Sequence, residues 1–137
     1  MVRIQKKDFN LENEIKIVRD NLPNVGAVSS FIGYVRDIND KKEVRYIDLE
    51  VYNEMAIKEL SKIERNAVSK WSLSSCIIIH RYGKLYVNDK IVLVACFSEH
   101  RQSSLEACKF IMDYLKKDAP FWKNEFYYKD DEWLENS

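Results

Sequence analysis

Four basic residues in the last third of the chain have the types and the spacing that an anion-binding site requires. His100 and Arg101 stand just before a predicted helix, while Lys116 and Lys123 lie at its end and just beyond it. Backbone N–H groups at the start of a helix attract anions, and an arginine guanidinium can bind a phosphate group through two hydrogen bonds. The sequence therefore predicts a pocket for a small anion here. The alternative is a surface His-Arg pair that caps the preceding strand, since one dipeptide is a weak motif.

The two lysines are also candidates for acid–base chemistry. Lys123 follows Pro120, Phe121 and Trp122, which can fix the backbone and hold an amine in a defined place. A lysine becomes a nucleophile or a general base only when desolvation or a neighbouring cation lowers its pKa. Lys116 and Lys123, brought together in a pocket lined by aromatic rings, would meet that condition. The alternative is a solvated face with lysines near the negative end of a helix.

Three further residues complete the set of candidates from chemistry alone. Arg36 ends a predicted strand, after Gly33 and before a polar segment at 38–43 that is predicted to be a mobile loop. Met112 gives one face of the predicted helix an apolar floor between two lysines. His80 closes an otherwise apolar strand, so we interpret it as a structural histidine that is satisfied by hydrogen bonds.

Composition limits the classes of function. The chain has 137 residues, of which 22 are basic and 22 acidic, so no overall field attracts nucleic acid or a membrane surface. No apolar run is long enough to span a bilayer, and the charged N-terminus does not resemble a secretion signal. The three cysteines, Cys76, Cys96 and Cys108, lack metal-site spacing and indicate buried thiols in a cytoplasmic protein. No metal and no cofactor are expected, and recognition of a charged ligand must be local.

Hydrophobic periodicity and turn signals predict the elements that position these residues. Five strands are predicted, over residues 2–5, 26–37, 44–52, 75–82 and 90–97, and three helices, over residues 11–22, 53–71 and 102–118. With a further strand after the last helix, the order β-α-β-β-α-β-β-α-β mixes hairpins with helix crossovers. It favours an α+β fold, with helices packed on a largely antiparallel sheet. Residues 1–137 are expected to form one such domain.

Finer expectations concern caps, turns and buried faces. Asn10 and Asn53 are predicted N-caps, and residues 82–84 are predicted to form a turn. Residues 44–52 alternate as a half-buried strand whose inward set contains Ile47, Leu49 and Val51. Two helices are predicted to bury apolar stripes, which are Ala56, Leu60, Ile63, Ala67 and Trp71 in one and Leu105, Cys108, Ile111 and Leu115 in the other.

Five motifs, in order along the chain, resemble the large, catalytic subunit of molybdopterin synthase. They are FIGYVRD at 31–37, LEVYNEMA at 49–56, IIHRYGKL at 78–85, SEHRQSSLEA at 98–107 and FIMDYLKKDAPFWKNE at 110–125. The similarity covers residues 26–125, and the pairing of YLK with PFWK is its strongest part. Residues 126–137, an acidic tail, match weakly, and Glu99 stands where relatives commonly carry a small residue or proline.

The resemblance implies an α/β-hammerhead type of fold and a sulfurtransferase of molybdenum-cofactor biosynthesis. Its substrate would be cyclic pyranopterin monophosphate, which gains two sulfur atoms to form the dithiolene of molybdopterin. The sulfur donor would be a ubiquitin-like small subunit with a C-terminal thiocarboxylate, whose tail enters the pocket of the large subunit. Two large subunits would form a homodimer flanked by two small subunits, a heterotetramer of the cytoplasm.

The same resemblance assigns roles to individual residues. Lys116 and Lys123 match the essential lysines, with acid–base work or transient engagement of the acyl group for Lys116 and orientation of the substrate for Lys123. The groups that bind the pterin and its phosphate would be Arg36, His100 and Arg101. Two further residues, Phe31 and Met112, would line the pocket.

Two other classes of function are alternatives. A non-catalytic adaptor would bind the tail of a ubiquitin-like partner without turnover, although the presence of both lysines disfavours it. An RNA- or nucleotide-binding module would use the tyrosines, tryptophans and basic residues, but the balanced charge argues against it.

Overall fold

A computed structural model describes residues 1–128 of the chain. Within them the elements, in order, are β1 (Val2–Gln5), α1 (Leu11–Asp20), β2 (Ala27–Tyr34), β3 (Ile38–Asn39), β4 (Lys42–Val51), α2 (Asn53–Trp71), β5 (Ser75–Arg81), β6 (Gly83–Tyr86), β7 (Lys90–Ser98), α3 (Arg101–Lys117) and β8 (Phe121–Tyr127). Most of the acidic tail, residues 129–137, lies outside the described residues. The predicted α+β class is confirmed, with helices packed on mostly antiparallel strands.

The first sheet has four strands in the order β1-β5-β7-β2, of which only β1 and β5 run parallel. Helices α2 and α3 cover one face, where Leu60, Ile78 and Ile111 are fully buried. Helix α1 covers the other face, against Ile77 and Phe97. Both faces of β5 and β7 are therefore shielded from solvent, which explains their nearly continuous apolar sequences. Full burial of each such side chain stabilises the fold by about 1.5–3 kcal/mol.

The second sheet is built around β4, which pairs antiparallel with β3, β6 and β8. Its inner face packs on a separate core that includes Val35, Ile47 and Leu85. The predicted strand over residues 44–52 is confirmed, but its other face is not simply solvated. Tyr46 is buried because its ring stacks on Phe126 of β8, with ring centroids 4.5 Å apart. The burial of β4 therefore does not follow the simple alternation that the sequence suggests, because a side chain of the neighbouring strand β8 shields Tyr46.

Several finer predictions are wrong, each for an identifiable reason. Of residues 82–84, predicted to be a turn, Gly83 and Lys84 belong to β6, because Leu85 supplies an apolar side chain that packs in the second core. Residues 38–43, predicted to be a mobile loop, form the β3–β4 hairpin instead. Its two turn residues, Asp40 and Lys41, have φ angles of 51° and 65°, the positive values of a two-residue type I′ turn.

Helix caps and buried faces give a mixed outcome. The Asn10 side chain accepts a hydrogen bond from the backbone N–H of Asn13 at 2.9 Å, as an N-cap should. Asn53 is not a cap, because it is already the first residue of α2. The predicted stripe of α2 is buried from Ala56 to Ala67, whereas the end residue Trp71 is only partly covered.

Helix α3 is rotated relative to the prediction. Leu105 is 58% exposed, while Ser104 is buried beside it. The Ser104 hydroxyl lies 3.1 Å from that of Ser29 in β2, so a hydrogen bond between two small polar residues lets helix and strand approach closely. Cys108 and Ile111 are buried as predicted, and Leu115 is partly buried.

Candidate functional site

One group of polar side chains, which we term the Arg36 cluster, gathers where β8 crosses the end of β2. It consists of Arg36, Asn39, Lys123, Glu125 and Tyr127. Alternation along β8 places its three β8 members on one face of the strand. Strand β8 brings them to the second sheet because residues 121–127 pair with β4 over residues 44–51.

The beginning of β8 is held by an aromatic contact with the first sheet. The ring of Phe121 stacks on the imidazole of His80, with centroids 3.7 Å apart and planes 15° from parallel. The Nδ1 atom of His80 donates to the backbone carbonyl of Arg81 at 2.8 Å, which agrees with the predicted structural histidine. Burial lowers the pKa of His80 to about 4, so the ring is neutral near pH 7. The stack fixes the point from which β8 carries Lys123.

A chain of polar contacts joins the members of the Arg36 cluster. The guanidinium of Arg36 donates to the side-chain oxygen of Asn39 at 3.2 Å. The amide nitrogen of Asn39 donates to both carboxylate oxygens of Glu125 at 2.8 Å, and the Tyr127 hydroxyl donates to the same carboxylate at 2.8 Å. The ammonium of Lys123 lies 3.7 Å from Glu125. Two cations are thus linked through one amide and one carboxylate.

The charge of Glu125 is maintained by these contacts. Burial of the carboxyl would raise its pKa, but the hydrogen bonds from Tyr127 and Asn39 and the charge of Lys123 outweigh burial, so the pKa of Glu125 lies below its ordinary value. The same contact raises the pKa of Tyr127, because its hydroxyl donates to an anion. The carboxylate therefore remains ionised and able to hold its three donors near neutral pH.

A small cavity of about 60 Å³ opens beside this cluster. It is lined by Arg36, Asn39, Lys123 and Glu125 together with apolar side chains that include Ile47 and Ile91. Since about 10–15 Å³ of such solvent-accessible space is enough for one water, the cavity has room for a small anionic group such as a phosphate. Pockets for larger organic ligands are usually about 300–1,000 Å³. One chain therefore provides a small anion-binding cavity, which we term the anion cradle. A larger ligand would need additional lining residues from outside this cavity.

A second group, termed the His100 cluster, consists of Glu99, His100 and Arg101 at the start of α3. His100 is the N-cap residue, with extended backbone and no capping hydrogen bond from its side chain. Its imidazole is 88% exposed and lies 4.0 Å from the carboxylate of Glu99, which is itself 60% exposed. Together with Gly26 these residues line a wide, open depression. Arg101 is also exposed, so this cluster faces solvent.

Gly26 lies so close to this turn that a side chain would not fit. A Cβ atom at Gly26 would overlap the backbone carbonyl oxygen of Glu99, and the Gly26 N–H donates to the Ser98 carbonyl at 2.9 Å. The hydroxyl of Ser98 donates to the carbonyl oxygen of His100. These contacts fix the backbone of the turn. Among its side chains, Glu99 accepts a hydrogen bond from the amide of Asn24 at 2.6 Å, whereas His100 and Arg101 are exposed.

The remaining predicted site residues lie near α3. Lys116 is exposed in the last turn of the helix. Met112 is partly buried against the first core. Phe31 is 37% exposed on β2, and its ring lies beside Gly33, where an added Cβ would contact it. None of these three lines the cavity of the Arg36 cluster.

One chain brings the predicted residues together only in part. Arg36 and Lys123 share a cavity, and His100 lies next to Arg101. The two clusters sit at opposite ends of β2, since Ala27 pairs with Ser98 while Arg36 follows the strand's last residue. Eight strand residues span about 26 Å at 3.3 Å each. Within a single chain, the predicted basic groups therefore do not all meet in one cavity.

Asn39, Glu125 and Tyr127 were missed as members of the site. A signal for Glu125 existed, because it lies two positions after Lys123 and period-2 alternation puts both on one face of a strand. Nothing local indicates Asn39, which reaches Glu125 across 86 positions of sequence.

Other kinds of site find little support in residues 1–128. No group of three or more His, Cys, Asp or Glu side chains there has the geometry of a metal site. The three cysteines, as predicted, are buried free thiols. Within the same range, none of the helices is both long enough and apolar enough to cross a bilayer.

Fold and site together define a small α+β protein with a partly buried cationic cradle and a second, exposed basic turn. A family model described as "MoaE protein" matches residues 4–118. The chain therefore belongs to the MoaE family. The match ends just before β8, so it does not include Lys123 or Glu125.

Relatives agree with this assignment. The molybdopterin synthase catalytic subunit of Ralstonia nicotianae is 51% identical over 124 residues, which cover 90% of this chain and 70% of that protein. A molybdopterin biosynthesis MoaE protein from Burkholderia ambifaria superposes with a TM-score of 0.84 at 41% identity, over 92% of this chain and 82% of the other.

A more distant structure shares the fold. It is a complex of subunits 1 and 2 of molybdopterin-converting factor from Helicobacter pylori, of which the matched chain gives a TM-score of 0.78 at 18% identity, covering 92% of this chain and 84% of that one. The expected resemblance to molybdopterin synthase large subunits is thus confirmed at the level of family and fold.

Proposed function

We propose that this protein is the catalytic subunit of a cytoplasmic molybdopterin synthase. It would transfer sulfur from the C-terminal thiocarboxylate of a ubiquitin-like small subunit to cyclic pyranopterin monophosphate, forming the dithiolene. The observation that carries this proposal is the cradle of Arg36 and Lys123, whose size and charge suit the phosphate of that substrate. The names of its relatives point to the same reaction.

The chemistry requires more than binding of a phosphate. Attack by a thiocarboxylate sulfur on the pterin requires proton donors and acceptors close to the reacting carbons. In this proposal Lys123 orients the substrate from the anion cradle and stabilises developing charge, and Lys116 exchanges protons or transiently engages the acyl group. Phe31 and Met112 would form the apolar wall of the pocket, and His100 and Arg101 would bind the pterin or its phosphate.

A homodimer would bring the two clusters together. Strand β2 is the outer strand of the first sheet in residues 1–128, and its exposed side chains include Ser30, Phe31 and Tyr34. If the free edges of two β2 strands pair antiparallel about Ser30, Gly26 of one chain lies opposite Tyr34 of the other. The His100 cluster of one chain then approaches the Arg36 cluster of its partner. A pocket larger than the cavity of one chain would result, with a complete set of basic groups.

A mixing experiment tests this arrangement. One variant lacks the cations of the Arg36 cluster (Arg36→Ala with Lys123→Ala). The other variant lacks the basic side chains of the His100 cluster (His100→Ala with Arg101→Ala). Neither variant alone should make product. In a 1:1 mixture refolded together, about half of the dimers contain one chain of each variant. In each such mixed dimer one of the two pockets is intact, so about a quarter of wild-type activity should return. An inactive mixture of well-folded mixed dimers would contradict shared pockets.

The reaction itself is tested with purified partners. The full chain is incubated with thiocarboxylated small subunit and cyclic pyranopterin monophosphate, and dithiolene product is measured. Product formation that is lost in Lys116→Ala supports the proposal. Tight binding of the small subunit without any product, under conditions in which a known synthase turns over, would instead identify a non-catalytic adaptor.

A further inference from the structure

The side-chain amide of Asn39 lies between the two opposite charges of the Arg36 cluster. We propose that Asn39 is a positioning residue, which holds the Arg36 guanidinium and the Glu125–Lys123 pair at a fixed separation across the anion cavity. The reaction that this positioning serves rests on the proposed function, whereas the positioning itself rests only on the contacts described above.

The contacts use both halves of the amide. Its oxygen accepts from Arg36 at 3.2 Å, and its nitrogen donates to the two oxygens of Glu125 at 2.8 Å. Positive charge therefore faces the acceptor and negative charge faces the donor. The reversed orientation would place the amide oxygen against a carboxylate and the amide N–H groups against a guanidinium, where no hydrogen bond can form. Electrostatics thus selects one orientation of Asn39.

No other type of side chain of this size satisfies both neighbours. An aspartate would still accept from Arg36 but would repel Glu125, and an alanine would satisfy neither. Glu125 is only 18% exposed, so loss of its donor would not be made up fully by water. The chemistry of the two neighbours therefore requires an amide at position 39.

The hairpin makes Asn39 a stiff support. Asn39 pairs with Lys42 in the β3–β4 ladder, and only Asp40 and Lys41 separate them. Both turn residues have positive φ, which fixes the hairpin register. Strand β4 continues from this turn and pairs with β8, the strand that carries Lys123 and Glu125. Asn39 therefore ties the tip of the hairpin to the strand that bears the catalytic lysine.

Apart from the contacts through Asn39 and Glu125, few interactions restrict the side chains of Arg36 and Lys123. Arg36 is exposed, and the Lys123 side chain is 50% exposed, so each has many rotamers available. A common anchor through Asn39 and Glu125 restricts both at once. The expected benefit is that the cradle is formed before its anion arrives, which lowers the cost of binding.

An exchange of amide and carboxylate tests the inference. The variants are Asn39→Asp, Glu125→Gln and the double variant Asn39→Asp with Glu125→Gln, which restores one amide facing one carboxylate. In Asn39→Asp, kcat/KM for the pterin substrate should fall about 10- to 100-fold, chiefly through KM, since a charge-assisted hydrogen bond becomes a repulsion. The double variant should be about tenfold more active than Asn39→Asp. Lys41→Asn is the matched control, because it lies in the same turn and asparagine tolerates positive φ.

A second measurement does not depend on activity. Carbon-13 NMR of the side-chain carboxyl gives the pKa of Glu125, which should rise in Asn39→Asp and in Asn39→Ala and stay unchanged in Lys41→Asn. Asn39→Ala serves if the aspartate variant does not fold. An unchanged pKa in both variants, or a double variant no more active than Asn39→Asp, would overturn the inference. If wild-type protein makes no dithiolene, the proposed function fails while the NMR result still decides the role of Asn39.

Discussion

The two basic clusters of this chain differ in how far the fold has organised them. In the Arg36 cluster, cations, amide, carboxylate and phenol are joined by hydrogen bonds around a partly buried Glu125. In the His100 cluster, an imidazole that is 88% exposed faces a carboxylate that is 60% exposed, across 4.0 Å. The first arrangement is a connected polar network within one chain, whereas the second has a fixed backbone and mostly exposed side chains.

This difference indicates a division of labour. A surface ion pair contributes about 0–1 kcal/mol, so the His100 cluster does little for the stability of the fold. Exposed polar side chains in connecting segments often bind a ligand or a partner molecule. In the proposed dimer, the Arg36 cluster of one chain supplies the cradle, and the His100 cluster of the other chain would complement it. The four predictions below break or sharpen that comparison.

The largest effect is expected from the lysines assigned to chemistry. Lys116→Ala and Lys123→Ala should each lower the rate of dithiolene formation by about 10²- to 10⁴-fold, the usual contribution of a positioned acid or base. Lys117→Ala, the exposed neighbour of Lys116 in α3, is the control and should keep near wild-type activity. Equal activities of Lys116→Ala and Lys117→Ala in a single-turnover assay would remove Lys116 from the site.

Acid should destabilise the fold through the buried His80. Burial holds the pKa of His80 at about 4, below its unfolded value of 6.5. As pH falls below 6.5, the unfolded chain binds a proton that the folded chain does not, so stability is lost between about pH 6.5 and pH 4, by about 3 kcal/mol in total. Urea unfolding at several pH values should show this loss. It should disappear in His80→Phe, which can still stack on Phe121, and persist in His100→Gln.

A methyl group at Gly26 should disturb the second cluster selectively. Gly26→Ala forces the Glu99 carbonyl to move, and such overpacking costs about 1–3 kcal/mol of unfolding free energy. Backbone NMR shifts should change around His100 and remain in place around Lys123. Ser30→Ala, at an exposed position in the adjoining strand β2, is the control. Shift changes that spread equally to both clusters would mean that they are not independent.

The smallest effect should distinguish the two carboxylates. Glu125→Gln removes a partly buried anion with three donors and should lower the free energy of unfolding by about 1–2 kcal/mol. Glu99→Gln, at an exposed site, should change it by less than about 0.5 kcal/mol. The comparison is made at pH 7 by chemical denaturation. Equal losses would show that the Arg36 cluster is no better organised than the His100 cluster.

The sequence was sufficient for whatever depends on local pattern. The α+β class, the cap at Asn10, the stripe from Ala56 to Ala67 and the buried role of His80 follow from periodicity, capping chemistry and apolar context. The family could also be identified, because several short motifs occurred in the right order. The roles of Lys116 and Lys123 in catalysis stay predictions.

What the sequence did not supply depends on contacts between distant segments. Leu105 has the right spacing for a buried stripe, but contact between Ser29 and Ser104 sets the rotation of α3. Asn39 looked like part of a polar loop, and only the pairing of β8 with β4 brings Glu125 to it. The periodicity of one segment does not tell with which distant segment it pairs.

The position of β8 has a consequence for synthesis on the ribosome. Every strand of the first sheet has been translated once Ser98 is added, but the partner of β4 that carries Lys123 is complete only at Tyr127. Domains begin to fold as they emerge. Helix α3, which covers one face of that sheet, is complete at Lys117, so a nascent chain can bury its main core before it acquires the anion cradle. A product that stops short of Phe121 would keep the first sheet while lacking the cradle.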